Sequence, residues 1–252
     1  MKAMYNTLPE FVPEPVGCGS YASNPDIHFF ICELVNMTDE IPEIQAFVRL
    51  LAELHTRGIS PNGKYGFEVP TYKGTIPQYT NWHDTWEEAF HHSMKWFVYT
   101  EEKSQGPDEE MQELCSGLFE KVIPRLLRPL ETGGRQIQPR LIHGDLWSGN
   151  TSTNIDTNTP VVYDGACLYA HSESTFLAHG LPAKCKKLTK PLSRSGDGCL
   201  ASNTPQDRKA IYEGVLRLLP HICTRGRPRR PQSTLLPVSM FKPGSSVLRS
   251  DT

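Results

Sequence analysis

Apolar positions recur along this chain with two periods, and the points where the period changes mark out its elements. Ile44, Phe47, Val48, Leu51 and Leu54 follow helical spacing, which predicts an amphipathic helix ending near Arg57-Gly58. A second helix is predicted from Asp84, where Glu87 three positions on completes the form of a capping box and Trp86, Phe90, Met94 and Phe97 make the inner face. Met111, Leu114, Cys115, Leu118, Val122 and Leu126 mark a third helix, bent or ended by Pro124. Residues 60–80 are dense in Gly, Pro and Tyr and read as loop. Residues 12–36 read as a β-hairpin, with a turn-rich segment ending at Asn24-Pro25-Asp26 and a buried strand from His28 to Val35. Gly17-Cys18-Gly19-Ser20-Tyr21 is taken as the turn of that hairpin. It is not a phosphate-covering glycine loop, because its sixth position is Ala22 and no Val-Ala-Ile-Lys strand follows. Gly133-Gly134 then turns the chain toward a strand at Arg140-Leu141-Ile142.

From about Phe176 the periodicity fails. Prolines at 182, 191, 205, 220, 228, 231, 237 and 243 interrupt every prospective element, and three aromatic residues remain. One short helix is expected between Pro205 and Ile222; the rest of 176–252 is expected to be a disordered tail. Charge divides the chain at the same place. Residues 176–252 carry 14 Lys and Arg against 4 Asp and Glu, whereas the first 175 carry 12 against 24. The basic segment lacks interleaved aromatics and any nucleic-acid-binding motif, so no nucleic acid partner is expected. Seven cysteines without a C-x-x-C spacing read as free thiols in a reducing compartment. The longest apolar runs, such as Phe29-Phe30-Ile31-Cys32, are far too short to span a bilayer, so no membrane partner and a cytoplasmic location are expected.

The chemistry concentrates in His143-Gly144-Asp145-Leu146-Trp147-Ser148-Gly149-Asn150, followed by Asp164 behind the apolar run Pro160-Val161-Val162-Tyr163. Phosphoryl transfer from ATP needs a carboxylate at the acceptor hydroxyl, and an amide plus a carboxylate to hold Mg²⁺ on the phosphates. Asp145 fits the first role, as the base that takes the hydroxyl proton; Asn150 and Asp164 fit the second, because hard oxygen ligands suit Mg²⁺. A bare His-Gly-Asp would read as a turn with capping side chains; the compound spacing outweighs that reading. His143 is expected to brace the loop by hydrogen bonding rather than act as a base.

His-Gly-Asp-Leu-Trp-Ser-Gly-Asn, with Tyr169-Ala170-His171-Ser172-Glu173 downstream, resembles the fructosamine kinase (ketosamine-3-kinase) family. Leu51-Ala52-Glu53-Leu54-His55, Gly63-Lys64-Tyr65-Gly66-Phe67 and Thr71-Tyr72-Lys73-Gly74-Thr75-Ile76-Pro77-Gln78 match it in order, so the resemblance runs from about Met1 to Glu173. It implies an α+β, protein-kinase-like fold with an incomplete small β lobe over 1–36 and a mainly helical large lobe over 37–175. It implies a hinge at Cys32-Glu33-Leu34-Val35, where backbone groups of Glu33 and Val35 would bond the adenine edge. Tyr72, Trp147 and His171 become candidates for stacking on or bonding to a sugar-amine substrate, whereas Trp86 belongs on its apolar helix face.

The implied activity is ATP- and Mg²⁺-dependent phosphorylation of the 3-hydroxyl of a ketoamine, a fructosamine or ribulosamine on a protein or free amine. The 3-phosphate then destabilises the adduct and releases the amine, a deglycation repair. Gly165 stands where the family more usually has Pro, which is expected to loosen the loop behind Asp164. The family's glycine loop, its phosphate-binding Lys and the Glu paired with it have no counterpart, so the chain as written is expected to bind Mg-ATP weakly. Two other readings stand beside this one: a non-catalytic kinase-like remnant or truncated gene product, and a small-molecule kinase of the aminoglycoside or choline kinase type, which shares H-G-D-x-x-x-x-N.

Overall fold

The chain alternates short strands with helices, and a central strand pair clamped between two apolar clusters carries the Asp145 loop. The structure is a computed structural model describing residues 1–38 and 40–177, so the expected disordered tail past its first two residues, and the helix near 205–222, lie outside the described residues. In chain order the elements are α1 (Lys2–Thr7), β1 (Pro15–Tyr21), β2 (Asn24–Cys32), α2 (Ile44–Arg57), β3 (Tyr72–Lys73), β4 (Ile76–Pro77) and α3 (Trp86–Gln105). They continue with α4 (Glu109–Gly117), α5 (Ile123–Leu127), β5 (Arg140–Ile142), β6 (Thr151–Asn154), β7 (Thr159–Val162) and β8 (Leu168–Ala170). The strands pair antiparallel as β1–β2, β3–β4, β5–β8 and β6–β7. This mixture of helix and strand is the expected α+β class.

The β5 strand owes its position to simple alternation. Adjacent residues of a strand face opposite sides, and here Leu141 enters one cluster while Ile142 enters the other. The Leu141 side is built from Met4, Leu8 and Phe11 at the chain start, Phe47, Leu50, Leu51 and Leu54 of α2, and Val162 of β7. The Ile142 side is built from Trp86, Phe90, Met94 and Phe97 of α3 with Ile123, Leu126 and Leu127 of α5. Each such buried side chain contributes roughly 1.5–3 kcal/mol, so the strand ahead of Asp145 is held from both faces. Glu43 starts α2 by accepting the backbone N–H groups of Gln45 at 2.9 Å and Ala46 at 2.6 Å.

Several expectations are corrected. The first hairpin forms, but Gly17, Cys18, Gly19 and Ser20 lie within β1 and the turn falls after Tyr21. Its second strand is not buried: Phe30 and Ile31, on opposite faces, are 50% and 51% exposed, because the sheet has two strands and neither apolar cluster reaches it. The 60–80 stretch holds the small β3–β4 hairpin, turned by Gly74 at φ +59°. Thr85, not Asp84, caps α3, its Oγ1 accepting the Glu88 N–H at 3.3 Å; Asp84 pairs instead with Lys64 at 2.9 Å. Ahead of Pro124 the helix widens into a π-helical turn over Leu118–Val122. Pro124 cannot donate a backbone hydrogen bond and crowds the preceding turn, and the wider turn shifts the apolar face by one residue. Val122 is therefore exposed and Ile123 fully buried.

Among the described residues the cysteines are free thiols, and no helix is long and apolar enough to cross a membrane.

Candidate active site

Two strand pairings bring the chemical residues together. Pairing of Ile142 with Leu168 sets the start of the Asp145 loop beside the Gly165–Cys167 segment, and pairing of Thr151 with Val162 sets Asn150 beside Tyr163 and Asp164. The Tyr163 N–H donates to the Asn150 carbonyl at 3.1 Å, which locks this junction. Gly144 makes the crossing feasible. Its φ is +78°, and it passes so close to Ala166 that no side chain fits between them.

His143 lies at the centre, fully buried. Its Nε2 is 2.9 Å from the Tyr163 carbonyl oxygen, which only accepts, so Nε2 carries the proton. Its Nδ1 then accepts the Asp145 N–H at 3.3 Å. One neutral imidazole thus joins the Asp145 loop to the residue before Asp164. Burial holds its pKa down at about 4; the Tyr163 hydrogen bond works against that, and the charges of the N-terminal ammonium and Lys73 add to it.

Asn150 spends its amide nitrogen inside the loop, donating to the Asp145 carbonyl at 2.9 Å and approaching Asp145 Oδ2 at 3.4 Å. That orientation leaves Asn150 Oδ1 available as an oxygen ligand. Asp164 is exposed and held at φ +56°, a left-handed conformation that Asp tolerates better than most residues. Among the described residues no group of three or more His, Cys, Asp or Glu stands ready for a metal. The donor set therefore fits Mg²⁺ in one manner: hard oxygens from Asn150 and Asp164, completed by nucleotide phosphates and water. Gly165 is in contact with the chain start. Its N–H donates to Met1 Sδ at 3.3 Å, and Met1, Met4 and Cys167 wall it in.

The segment expected to form the hinge leads into residues tied to the β6–β7 hairpin. Thr38 N–H donates to the Thr153 carbonyl at 3.1 Å and Ile155 N–H to the Asn36 carbonyl at 2.8 Å, while Ser152 Oγ bonds the Thr38 carbonyl. Glu33 N–H is taken by the Glu14 carbonyl at 2.8 Å, so Glu33 offers only its carbonyl outward. That carbonyl and the Val35 N–H have no backbone partner among the described residues. Cys32 and Leu34 are exposed beside them.

The substrate candidates separate. Trp147 is 41% exposed, its ring laid across Gly149 so closely that a β-carbon there would meet it at 2.3 Å. Tyr72 is 56% exposed on the β3–β4 hairpin. His171 is not brought to the surface. It is 3% exposed, lies 3.9 Å from Glu173 and packs near Trp86, in the manner of a core histidine.

Sequence reasoning passed over Lys73 and Gln78. Gln78 Nε2 donates to the Ala166 carbonyl at 2.8 Å and to Thr71 Oγ1 at 2.9 Å, pinning the β3–β4 hairpin to the Asp164 loop. Lys73 is half-buried and feels the charge of Asp145. Strand alternation held the signal: with Tyr72 outward, its neighbour turns inward.

A sequence model of the fructosamine kinase family matches residues 1–185. The chloroplastic protein-ribulosamine 3-kinase of Oryza sativa subsp. indica is 33% identical over 176 residues, 70% of this chain and 48% of its own length. Ketosamine-3-kinase of Mus musculus is 38% identical over 119 residues, 47% of this chain and 36% of its own. The chain thus spans about half the length of the first of these relatives. A candidate fructosamine-3-kinase from Thermobifida fusca superposes with a TM-score of 0.65 at 22% identity, covering 89% of this chain and 72% of the other. An aminoglycoside phosphotransferase superposes with a TM-score of 0.51 at 14% identity, covering 82% and 68%. At these identities the likeness speaks for the fold alone, which is protein-kinase-like. Sequence match and fold agree with the arrangement around Asp145, and the chain belongs to the fructosamine kinase family.

Proposed function

We propose that this chain carries the phosphoryl-transfer site of a ketosamine 3-kinase, moving the γ-phosphoryl group of ATP to the 3-hydroxyl of a fructosamine or ribulosamine. The observation that supports it best is the convergence of Asp145, Asn150 and Asp164 through the β5–β8 and β6–β7 pairings. In this reading the acceptor oxygen attacks the γ-phosphorus as its proton passes to the Asp145 carboxylate. The bond from that phosphorus to the β-phosphate bridging oxygen breaks, and its electron pair leaves on ADP. Asn150 Oδ1 and Asp164 would hold Mg²⁺, which neutralises charge on the phosphates when bound. The Glu33 carbonyl and Val35 N–H would take the adenine edge. His143 exchanges no proton; it keeps the two loops in register. Trp147, beside the base and open to solvent, would stack on the ketoamine. Phosphorylation at the 3-position then destabilises the adduct and frees the amine.

The test is to incubate the chain with Mg-ATP and lysine bearing a fructosyl or ribulosyl group, and to follow phosphorus NMR. A new phosphomonoester appearing in step with ADP is expected. Mg-ATP bound without transfer to either ketoamine would remove this reading.

A further inference from the structure

Among the described residues Lys73 is a basic side chain that feels the charge of Asp145. Lys73 lines a cavity of about 40 Å³ together with Gly144, the residue before Asp145, and with Gln78, Asn81 and Tyr169. That volume holds a water or two, not a sugar, so any larger ligand must lie outside it, against lining residues such as Lys73 and Gly144. The position is built rather than incidental, since Gln78 ties the hairpin to Ala166 and to Thr71. Among the described residues Lys73 forms no hydrogen bond and no ion pair. A partly buried ammonium without an ion-pair partner is unfavourable. Burial lowers its pKa to about 8, with the Asp145 charge pulling the other way.

The chemistry of the proposed reaction supplies a direct anionic partner beyond the Asp145 charge. Negative charge in the transition state spreads over the three equatorial oxygens of the moving phosphoryl group. Those oxygens must approach the acceptor hydroxyl that Asp145 orients, so two anionic groups are driven together. A cation beside both reduces that repulsion, and a preorganised one does so without rearrangement at the moment of transfer.

We infer that Lys73 is a phosphoryl-anion-binding residue on the acceptor side of Asp145, an assignment that rests on the phosphoryl-transfer reading of this site. The phosphoryl oxygens have two possible sources, the γ-phosphoryl group of ATP and a phosphate carried on the sugar of the acceptor ketoamine. Lys73 exchanges no proton and forms no covalent bond in either case.

Pulsed acylation of amines at pH 8 on the whole chain, read by the mass of the Lys73 peptide, reports the ligand at Lys73 without needing turnover. Inorganic phosphate is expected to slow acylation of Lys73 about tenfold, leaving exposed Lys95 and Lys121 unchanged. Equal protection by Mg-ATP alone identifies the γ-phosphoryl group. Protection by a sugar-phosphorylated ketoamine, and not by its unphosphorylated form, identifies the acceptor phosphate. Absence of protection in all three arms overturns the assignment. In the transfer assay Lys73→Met should lower kcat about 100-fold while the KM for Mg-ATP stays within about twofold, and Lys73→Arg should recover most of the loss. Unchanged kcat and KM in Lys73→Met overturns the role of Lys73 and leaves the transfer reading standing. Protection of Lys73 by phosphate in a chain that phosphorylates no ketoamine does the reverse.

Discussion

A β-carbon built on Gly144 would lie 1.9 Å from the carbonyl oxygen of Ala166, so the Asp145 and Asp164 loops meet backbone against backbone. Gly144→Ala must therefore separate the loops as well as adopt a φ of +78°. We expect a loss of about 3 kcal/mol or more. Gly63→Ala is the matched control, at φ +71° but with open space around the new carbon. It should lose only about 1 kcal/mol. Urea midpoints of the two variants decide the matter. Equal losses would show that conformational strain alone is being read and that the loop contact contributes nothing.

Acid should weaken the fold earlier than its carboxylates alone predict. Burial holds His55 and His143 at a pKa of about 4, against an ordinary 6.5. For His55 the nearby Arg140 and His171 charges push the same way, and its Nε2 meets Thr175 Oγ1 at 2.9 Å. Between those values the unfolded chain binds protons that the folded chain does not. Stability is then complete above pH 6.5 and is lost as pH falls toward 4, by about 3 kcal/mol for each histidine at most. Denaturant midpoints at pH 7 and pH 4.5 measure the slope. His55→Gln should remove roughly half of it, and an unchanged slope would refute the burial argument.

What the sequence disclosed and what it hid follow from one distinction. Ile44 to Leu54 and Trp86 to Phe97 announce helices because their apolar spacing is local, and His143 to Asp164 announces chemistry because the spacing itself is the signal. The phase of the helix at Pro124 was hidden, because Val122 and Ile123 exchange faces only once a π-helical turn has formed. His171 sits in a motif as prominent as that of Trp147, yet one lies buried near Trp86 and the other lies open over Gly149. Motif membership does not specify burial. Lys73 escaped notice because its relation to Asp145 depends on Gln78 reaching Ala166, a contact across 88 positions of chain.

The β1–β2 hairpin should make this chain self-associate. Val16, Ile27, Phe30, Ile31 and Leu34 are all exposed, and among the described residues no further strand pairs with the edges of this two-stranded sheet. Apolar surface beside open strand edges favours pairing with another chain. Sedimentation is expected to show association that grows with concentration. Phe30→Thr combined with Leu34→Asp should suppress it while leaving the far-ultraviolet circular dichroism unchanged. Association undiminished in that variant would place the sticky surface elsewhere.

Asp145→Asn and Asp164→Asn should separate catalysis from metal binding, because both substitutions keep the local backbone. Asn150 donates to the Asp145 main-chain carbonyl, a bond that survives a change of side chain. Asp164 is held at φ +56°, and Asn adopts that region as readily as Asp does. Each substitution therefore removes a charge, and at Asp145 it also alters the approach of Asn150 Nδ2 to the side chain at 3.4 Å. Asp145→Asn should cut phosphoryl transfer about 1000-fold or more, the acceptor proton having lost its base, while Mg-ATP affinity changes less than about twofold. Asp164→Asn should raise the Mg²⁺ concentration needed for half-maximal rate and lower turnover together, because one of two hard-oxygen ligands has lost its charge. Nucleotide titrations at several Mg²⁺ concentrations, set beside transfer rates, distinguish the two. If both variants weakened nucleotide binding equally, Asp145 would belong to the nucleotide's metal site and not to the acceptor.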